Sequence, residues 1–534
     1  MTSNPATRIY LYDTTLRDGA QREGLSLSVE DKLRIVLKLD ELGVPFIEGG
    51  WPGANPKDGE FFERLRELRL KHSTVTAFCS TRRPGIAVHT DPVLGEVLRA
   101  GTEWITVFGK SWDLHVHEGL RTSLEENLAM IAQTVTYLRT QGRRVIYDCE
   151  HWFDGFTKNP EYALATLQAA AVAGAEWVVL CDTNGGMLPH QIEPIAEATR
   201  SFITALGLSC GLGIHTHNDS ETAVANTLVA VRAGARMVHG TINGYGERCG
   251  NANLCSVIPN LQLKMGYDLL VPEQLARLTE TSLFVSEVVN LAPNDHAAYV
   301  GTSAFAHKGG IHVSAVQRNP QTYEHIVPES VGNCRRIVIS DQAGLSNVVQ
   351  KLADFGFHLD RQDPRLREVL HRLKQLEAEG YQFEAAEASF ELLVRECLAE
   401  RRVYFVLEGL YTSCQTFPDG SMRSEATVRV RVGDALQHTA ADGNGPVSAL
   451  DAALRKALLG FYPEVARLHL TDYKVRILDG AQGTSALTRV LVEFSNGQER
   501  WTTIGVSPNI IEASCRAVIE GLEYGLNRSG VKQP

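Results

Sequence analysis

Eight short, strand-like runs, most of them apolar or β-branched, each followed by a helical stretch, occupy residues 9 to about 260, and this alternation leaves few folds open. The runs are Ile9–Tyr12, Pro45–Glu48, Thr74–Phe78, Trp104–Phe108, Arg144–Tyr147, Trp177–Leu180, Leu212–His215 and Arg236–His239. Amphipathic segments such as Val29–Leu42, Leu124–Arg139 and Tyr162–Ala173 lie between them. Eight βα units in roughly 250 residues are the count and size of a (β/α)8 TIM barrel. A doubly wound open sheet would normally use fewer strands, and no G-x-G-x-x-G fingerprint follows the first run. The barrel is the expectation.

At 534 residues the chain exceeds one hydrophobic core. We expect a catalytic barrel at 1–270, a helical linker at 271–400 and an α+β domain at 401–534. In the linker, Arg361–Gly380 reads as a solvated connecting helix, with Asp363 as N-cap before Pro364. The final segment carries a weak repeat: the stretch from His438 through Pro446 resembles the stretch from Trp501 through Pro508. Each reads as a strand, a glycine-containing turn, a proline and an apolar helix, preceded by long strands at Ala426–Val432 and Thr488–Phe494. Two β-rich units closed by helices suggest a pseudo-twofold α+β domain. Helix N-termini beside glycine turns suit a small carboxylate; a dimerisation module without ligand is the alternative.

The net charge of −11, with no basic run, argues against a nucleic-acid partner. No apolar stretch reaches membrane-spanning length, and the N-terminal residues lack a signal-peptide core. Ten scattered cysteines without a C-x-x-C pair fit a reducing cytosol. Cys149 and Cys181 lie near strand ends, where buried filler is a simpler reading than a nucleophile.

The chemistry-bearing residues gather where runs give way to loops, which in a barrel converge on one rim. His215 and His217, two apart at the end of the seventh run, share a face and can reach one ion. Asp18 adds a hard anionic oxygen after the first run, and Asn251 a neutral one after the eighth. Mixed imidazole and oxygen donors suit Mn²⁺, Mg²⁺, Co²⁺ or Zn²⁺ with open positions. Such a site polarises a carbonyl, and a 2-oxo acid chelates well. Arg17 lies where negative charge would grow; a rim salt bridge is its bland alternative. Glu48, Glu150, Asp182 and Thr183 are further candidates at strand ends, Glu150 with a plain salt bridge as an equal reading. Trp51, Trp152 and Phe153 read as packing.

Asp13-Thr-Thr-Leu-Arg17-Asp18-Gly, His215-x-His217-Asn-Asp and Gly246-Glu247-Arg248-x-Gly250-Asn251 resemble the signatures of the DRE-TIM metallolyase superfamily. Within it the chain is similar to the 2-isopropylmalate, homocitrate and citramalate synthases, which condense acetyl-CoA with a 2-oxo acid. The stretches at Gly49–Pro56, Asp148–Gly155, Leu180–Gly186 and Asp472–Arg476 look most like the long citramalate synthases. The resemblance implies Asp18, His215, His217 and Asn251 as ligands of a divalent metal, and Arg17 as stabiliser of enolate and alkoxide. It implies Glu150, Thr183 and His115 at the oxo-acid site, and His307 with Tyr323 in base catalysis, supplied by the partner subunit of a homodimer. Acetyl-CoA and pyruvate would be the substrates and isoleucine, or leucine, the effector, with no residues assigned to coenzyme binding. The alternatives are a 2-isopropylmalate synthase and an inactive amino-acid sensor. Ala20 stands where many relatives carry glutamate.

Overall fold

The computed structural model describes residues 8–339, 344–360, 362–479, 483 and 485–532, so that Arg361 of the expected linker helix lies outside the described residues. The chain divides into two compact units, one comprising Met1–Phe305 with His325–Arg335 and the other Ala306–Glu324 with Arg336–Pro534.

The first unit is a closed parallel barrel of eight strands in sequential order. They are β1 (Tyr10–Asp13), β2 (Phe46–Gly50), β3 (Thr74–Ser80), β4 (Trp104–Lys110), β5 (Arg144–Glu150), β6 (Trp177–Asp182), β7 (Gly211–Thr216) and β8 (Met237–Gly240). β8 pairs with β1 and completes the ring, with Tyr10 opposite Met237 and Asp13 opposite Gly240. Side chains of alternating residues fill the interior: Tyr12, Phe46, Trp104, Ile146, Val179, Cys181 and Met237 pack there. The outward residues, among them Leu11, Ile47, Ile105 and Val145, join the helices in a second core. The helix Val29–Leu42 shows why the ends fall where they do. Ser28 and Asp31 form a capping box at its start, and Gly43 ends it at φ 86°, a left-handed conformation open to glycine.

In the second unit, β9 (Ala306–His307) and β10 (Arg336–Ile337) form a two-stranded parallel pair. Helix Pro364–Ala378 starts at its Asp363 cap, whose side chain accepts the Arg365 N–H, and buries Leu366, Val369 and Leu373. Charge on the exposed face leaves one apolar stripe for packing. The remainder contains two three-stranded antiparallel sheets. One is β11 (Val406–Thr416), β12 (Met422–Val432) and β13 (Ala435–Gly443), followed by helix Pro446–Leu458. The other is β14 (His469–Ile477), β15 (Thr488–Ser495) and β16 (Arg500–Ser507), followed by helix Ile510–Arg528. Gly443 and Gly505 stand three residues before Pro446 and Pro508. A Cβ at Gly443 would lie 2.3 Å from the Ala449 backbone nitrogen, and one at Gly505 1.9 Å from the Ala513 carbonyl oxygen. Glycine lets strand and helix touch in both copies.

Candidate metal centre and its pocket

β1 ends at Asp13, whose carboxylate accepts the Thr15 N–H (2.9 Å) and hydroxyl (2.8 Å). Thr15 Oγ1 in turn accepts the Ile242 N–H at 2.9 Å, tying this turn to the loop after β8. The turn therefore presents Arg17 and Asp18 inward. Burial pushes Asp13 up to about 7, against the pull of these hydrogen bonds.

Four side chains from three segments meet here. His215 Nε2 and His217 Nε2 are 3.3 Å apart. Asp18 Oδ2 lies 3.3 Å from the first and 3.9 Å from the second. One ligand atom from each of these three buried residues falls within 4.8 Å of the others. The Asn251 amide nitrogen lies 3.1 Å from both Asp18 Oδ2 and His215 Nε2. Turning the amide over would aim its oxygen at the same point. Asp18 Oδ1 and Asn251 Oδ1 are buried without a hydrogen-bond partner. Two imidazoles, a carboxylate and an amide oxygen around one point fit a divalent cation with positions left for substrate. His239 backs the group: its Nδ1 lies 3.4 Å from His215 Nδ1, and its ring stacks 3.9 Å from that of Tyr12. That orients His215 with Nε2 inward. Burial, with His215 beside it, pushes His217 down to about 4, so that it is neutral, as ligand chemistry requires, and pushes His239 well below the ordinary histidine range.

Arg17 sits at the edge of this cluster over the Phe78 ring, 3.9 Å from its centroid. Glu48 grips it from β2 and Asp18 stands beside it, 3.3 Å from Nη1. Burial opposes its charge, but these carboxylates outweigh that and hold the guanidinium above its usual range. Asp18, despite its burial, is held far below the usual carboxylate range by Arg17, His215 and His217.

A pocket opens from this cluster, lined by Arg17, Asp18, Gln21, Trp51, Phe78, Phe108, Asp148, Glu150, Cys181, Thr183, His215, His217 and Glu247. Its apolar wall is an aromatic box. Phe78 and Phe108 stack at 5.2 Å, and Trp51 meets both edge-on at 5.7 and 5.5 Å. Thr183 Oγ1 accepts the His151 N–H at 2.9 Å, which leaves the hydroxyl proton to donate elsewhere. Glu150 is ion-paired with Lys110. Asp148 is buried with Oδ1 unpartnered; burial and Glu48 push it up to about 7.

Other expected residues lie elsewhere. His115 is outside the pocket lining; its ring packs at a tilt against His151, centroids 3.9 Å apart. His307 and Tyr323 belong to the second unit. Cys149 and Cys181 are buried, and burial raises both thiols well above their usual range, which suits filler and not a nucleophile. Phe78, Phe108, Asp148 and His239 escaped sequence reasoning, because an apolar or lone polar residue inside a strand run carries no sign of the face it takes.

Residues 8–285 match the HMGL-like family. Residues 299–381 match the homocitrate synthase post-HMGL domain-like family, and 384–526 the LeuA allosteric (dimerisation) domain. Over 527 residues the chain is 64% identical to the (R)-citramalate synthase of Synechocystis sp., covering 97% of this chain and 96% of that protein. It is 54% identical to the (R)-citramalate synthase of Aquifex aeolicus, over 98% of each chain. The 2-isopropylmalate synthase of Methanocaldococcus jannaschii is more distant, at 32% identity over 97% of this chain and 95% of that protein.

Proposed function

The chain belongs to the HMGL-like family and, within it, to the (R)-citramalate synthases, and from that premise we propose how its residues carry the reaction. The enzyme is an acyltransferase that joins acetyl-CoA, pyruvate and water into (R)-citramalate and CoA, in isoleucine biosynthesis through 2-oxobutanoate. In our reading Asp18, His215, His217 and Asn251 hold a divalent ion, Mn²⁺ or Mg²⁺ first among the candidates, and Co²⁺ or Zn²⁺ next. Bound there, the ion would supply Lewis acidity to the keto group of the oxo acid.

Arg17 stabilises the oxygen on which negative charge develops, and Glu48 fixes the guanidinium for that task. The Thr183 hydroxyl donates to the substrate carboxylate, Glu150 orients the oxo acid, and His115 supports that side through His151. The box of Trp51, Phe78 and Phe108 leaves room for a methyl group and crowds a branched chain. His307, with Tyr323, takes a proton from the acetyl methyl, the new C–C bond forms at the keto carbon, and water then cleaves the thioester. His307 and Tyr323 would come from the partner subunit of a homodimer. The LeuA allosteric (dimerisation) match supports that assembly and isoleucine as effector, with leucine as the other candidate. We assign catalysis to residues 1–270, the linker to 271–400 and regulation to 401–534, in a cytosolic enzyme; among the described residues no helix is long and apolar enough to cross a membrane.

The convergence of Asp18, His215 and His217 beside Arg17 carries this reading. Its test is thiol release from acetyl-CoA with Mn²⁺, comparing pyruvate, 2-oxobutyrate and 2-oxoisovalerate, with and without isoleucine. Preference for pyruvate with inhibition by isoleucine is expected. Preference for 2-oxoisovalerate would overturn the substrate, and release without any metal would overturn the site.

A further inference from the structure

We propose that the buried ion pair of Lys32 and Asp58 is a specificity-positioning device, fixing the bulge in β2 that turns Trp51 toward the oxo-acid pocket. This rests on the reading of Trp51 as a wall of that pocket.

Side chains two apart on a strand share a face, and those three apart do not. Glu48 and Trp51 are three apart, yet Glu48 holds Arg17 from the barrel interior and Trp51 lines the same pocket as Arg17. One extra residue makes the difference. Glu48 pairs with Thr76 of β3, whereas Gly50 pairs with the very next residue, Ala77, so β2 carries one residue more than its neighbour and the alternation reverses.

A bulge takes backbone groups away from their ladder partners. Two side chains from outside the sheet receive them here. Lys32, on helix Val29–Leu42, donates to the Gly49 carbonyl at 3.0 Å and to Asp58 Oδ1. Asp58, in the first turn of helix Pro56–Leu65, accepts the Trp51 N–H on Oδ2 at 2.8 Å. The pair thus brackets Gly50 from both sides, and both residues are buried, each 6% exposed. Gly50 has φ 148°, and a Cβ there would lie 2.5 Å from the Asp58 carboxyl carbon, so glycine lets the carboxylate in. Two charges in this place are costly to desolvate, and apolar residues could fill it. Apolar residues could not grip a carbonyl and an N–H on either side of one residue. The Trp51 indole has no polar anchor of its own, since its Nε1 is buried without a hydrogen-bond partner. Its ring is placed by Phe78, by Phe108 and by the backbone that the pair fixes. A slackened bulge would let the indole withdraw and give a branched oxo acid room that pyruvate does not need.

The test uses the full-length enzyme with Mn²⁺ and reads kcat/KM for 2-oxoisovalerate relative to pyruvate. The variants are Asp58→Asn, Gly50→Ala, Trp51→Leu and Asp58→Asn with Trp51→Leu. Asparagine keeps the shape of Asp58, but it offers an acceptor to only one of the two donors. Gly50→Ala keeps both charges and displaces the carboxylate, and it reads the same ratio if Asp58→Asn does not fold. Expected for both is a ratio raised about 3- to 10-fold, with kcat for pyruvate within about 3-fold of the wild type. Trp51→Leu should raise the ratio at least as far, and adding Asp58→Asn to it should change the ratio less than about 2-fold. A ratio unmoved or lowered in either folded variant, beside a raised one in Trp51→Leu, overturns the proposal and leaves the pair a purely structural part. A further multiplying gain in the double variant overturns it too, since the pair would then act by a route other than Trp51. An unmoved ratio in Trp51→Leu removes the wall reading, and the proposal with it.

Discussion

Arg17 and Glu48 meet fork to fork: Nε donates to Oε2 at 2.8 Å and Nη2 to Oε1 at 3.2 Å. Glu48 is fully buried and also accepts the Tyr12 hydroxyl at 3.3 Å, so the guanidinium is aimed from inside the barrel. Lysine cannot reproduce two parallel bonds. Arg17→Lys should lower kcat/KM about 10²- to 10³-fold with the thermal midpoint little changed. Glu48→Ala leaves a buried cation poorly paired and should cost about 3–5 kcal/mol of stability in denaturant titrations. Equal activity in Arg17→Lys would remove the oxyanion role.

Metal removal offers an independent check. Chelation should abolish thiol release and Mn²⁺ restore it, while Mn²⁺ raises the thermal midpoint of the wild type. Asp18→Asn and His217→Ala should lose both responses, with bound metal measured by elemental analysis. A midpoint that still climbs with Mn²⁺ in both variants would place the ion elsewhere.

The pH dependence of Asp148 has a definite sign. Its carboxyl titrates near 3.9 when unfolded, by the ordinary value, and is pushed up to about 7 in the folded chain. Between those values the folded state holds a proton that the unfolded state lacks. Its contribution is therefore complete below the lower value and lost as pH rises through the higher one. In chelator, Asp148→Asn should gain a few kcal/mol on the wild type between pH 4 and 8, at about 1.4 kcal/mol for each tenfold difference in proton affinity between the folded and unfolded chain. Parallel stability curves would refute this.

Substrate size is set, on our reading, by the aromatic box. Trp51→Leu should raise kcat/KM for 2-oxoisovalerate relative to pyruvate about 10- to 100-fold, the worth of one or two methylenes in a snug pocket. An unchanged ratio would absolve Trp51.

In the paired sheets, Gly505→Ala forces β16 away from the helix Ile510–Arg528, because the added Cβ would meet the Ala513 carbonyl. A loss of about 1–3 kcal/mol is expected, together with weakened isoleucine inhibition and intact basal thiol release. Undiminished inhibition would separate the effector from this junction.

The barrel was legible because strands and helices differ in apolar period, and all eight runs became strands. β5 and β6 extend past their runs to Glu150 and Asp182, since strand ends that carry polar residues do not look like strands. Arg17, Asp18, His215 and His217 stood out because charge and imidazole at strand ends have few structural uses. Phe78 and Phe108 did not, because nothing in a run of apolar residues tells a pocket wall from a core.

The proposed ligand set draws on the turn after β1, on β7 and its edge, and on the loop after β8, where the ring of strands closes on itself. A chain leaving the ribosome thus cannot assemble this cluster until residue 251 has emerged and the last strand has docked on the first. On our reading of that set, a partial barrel lacks part of the ligand shell, and metal capture would become a certificate that synthesis of the catalytic half has reached its end.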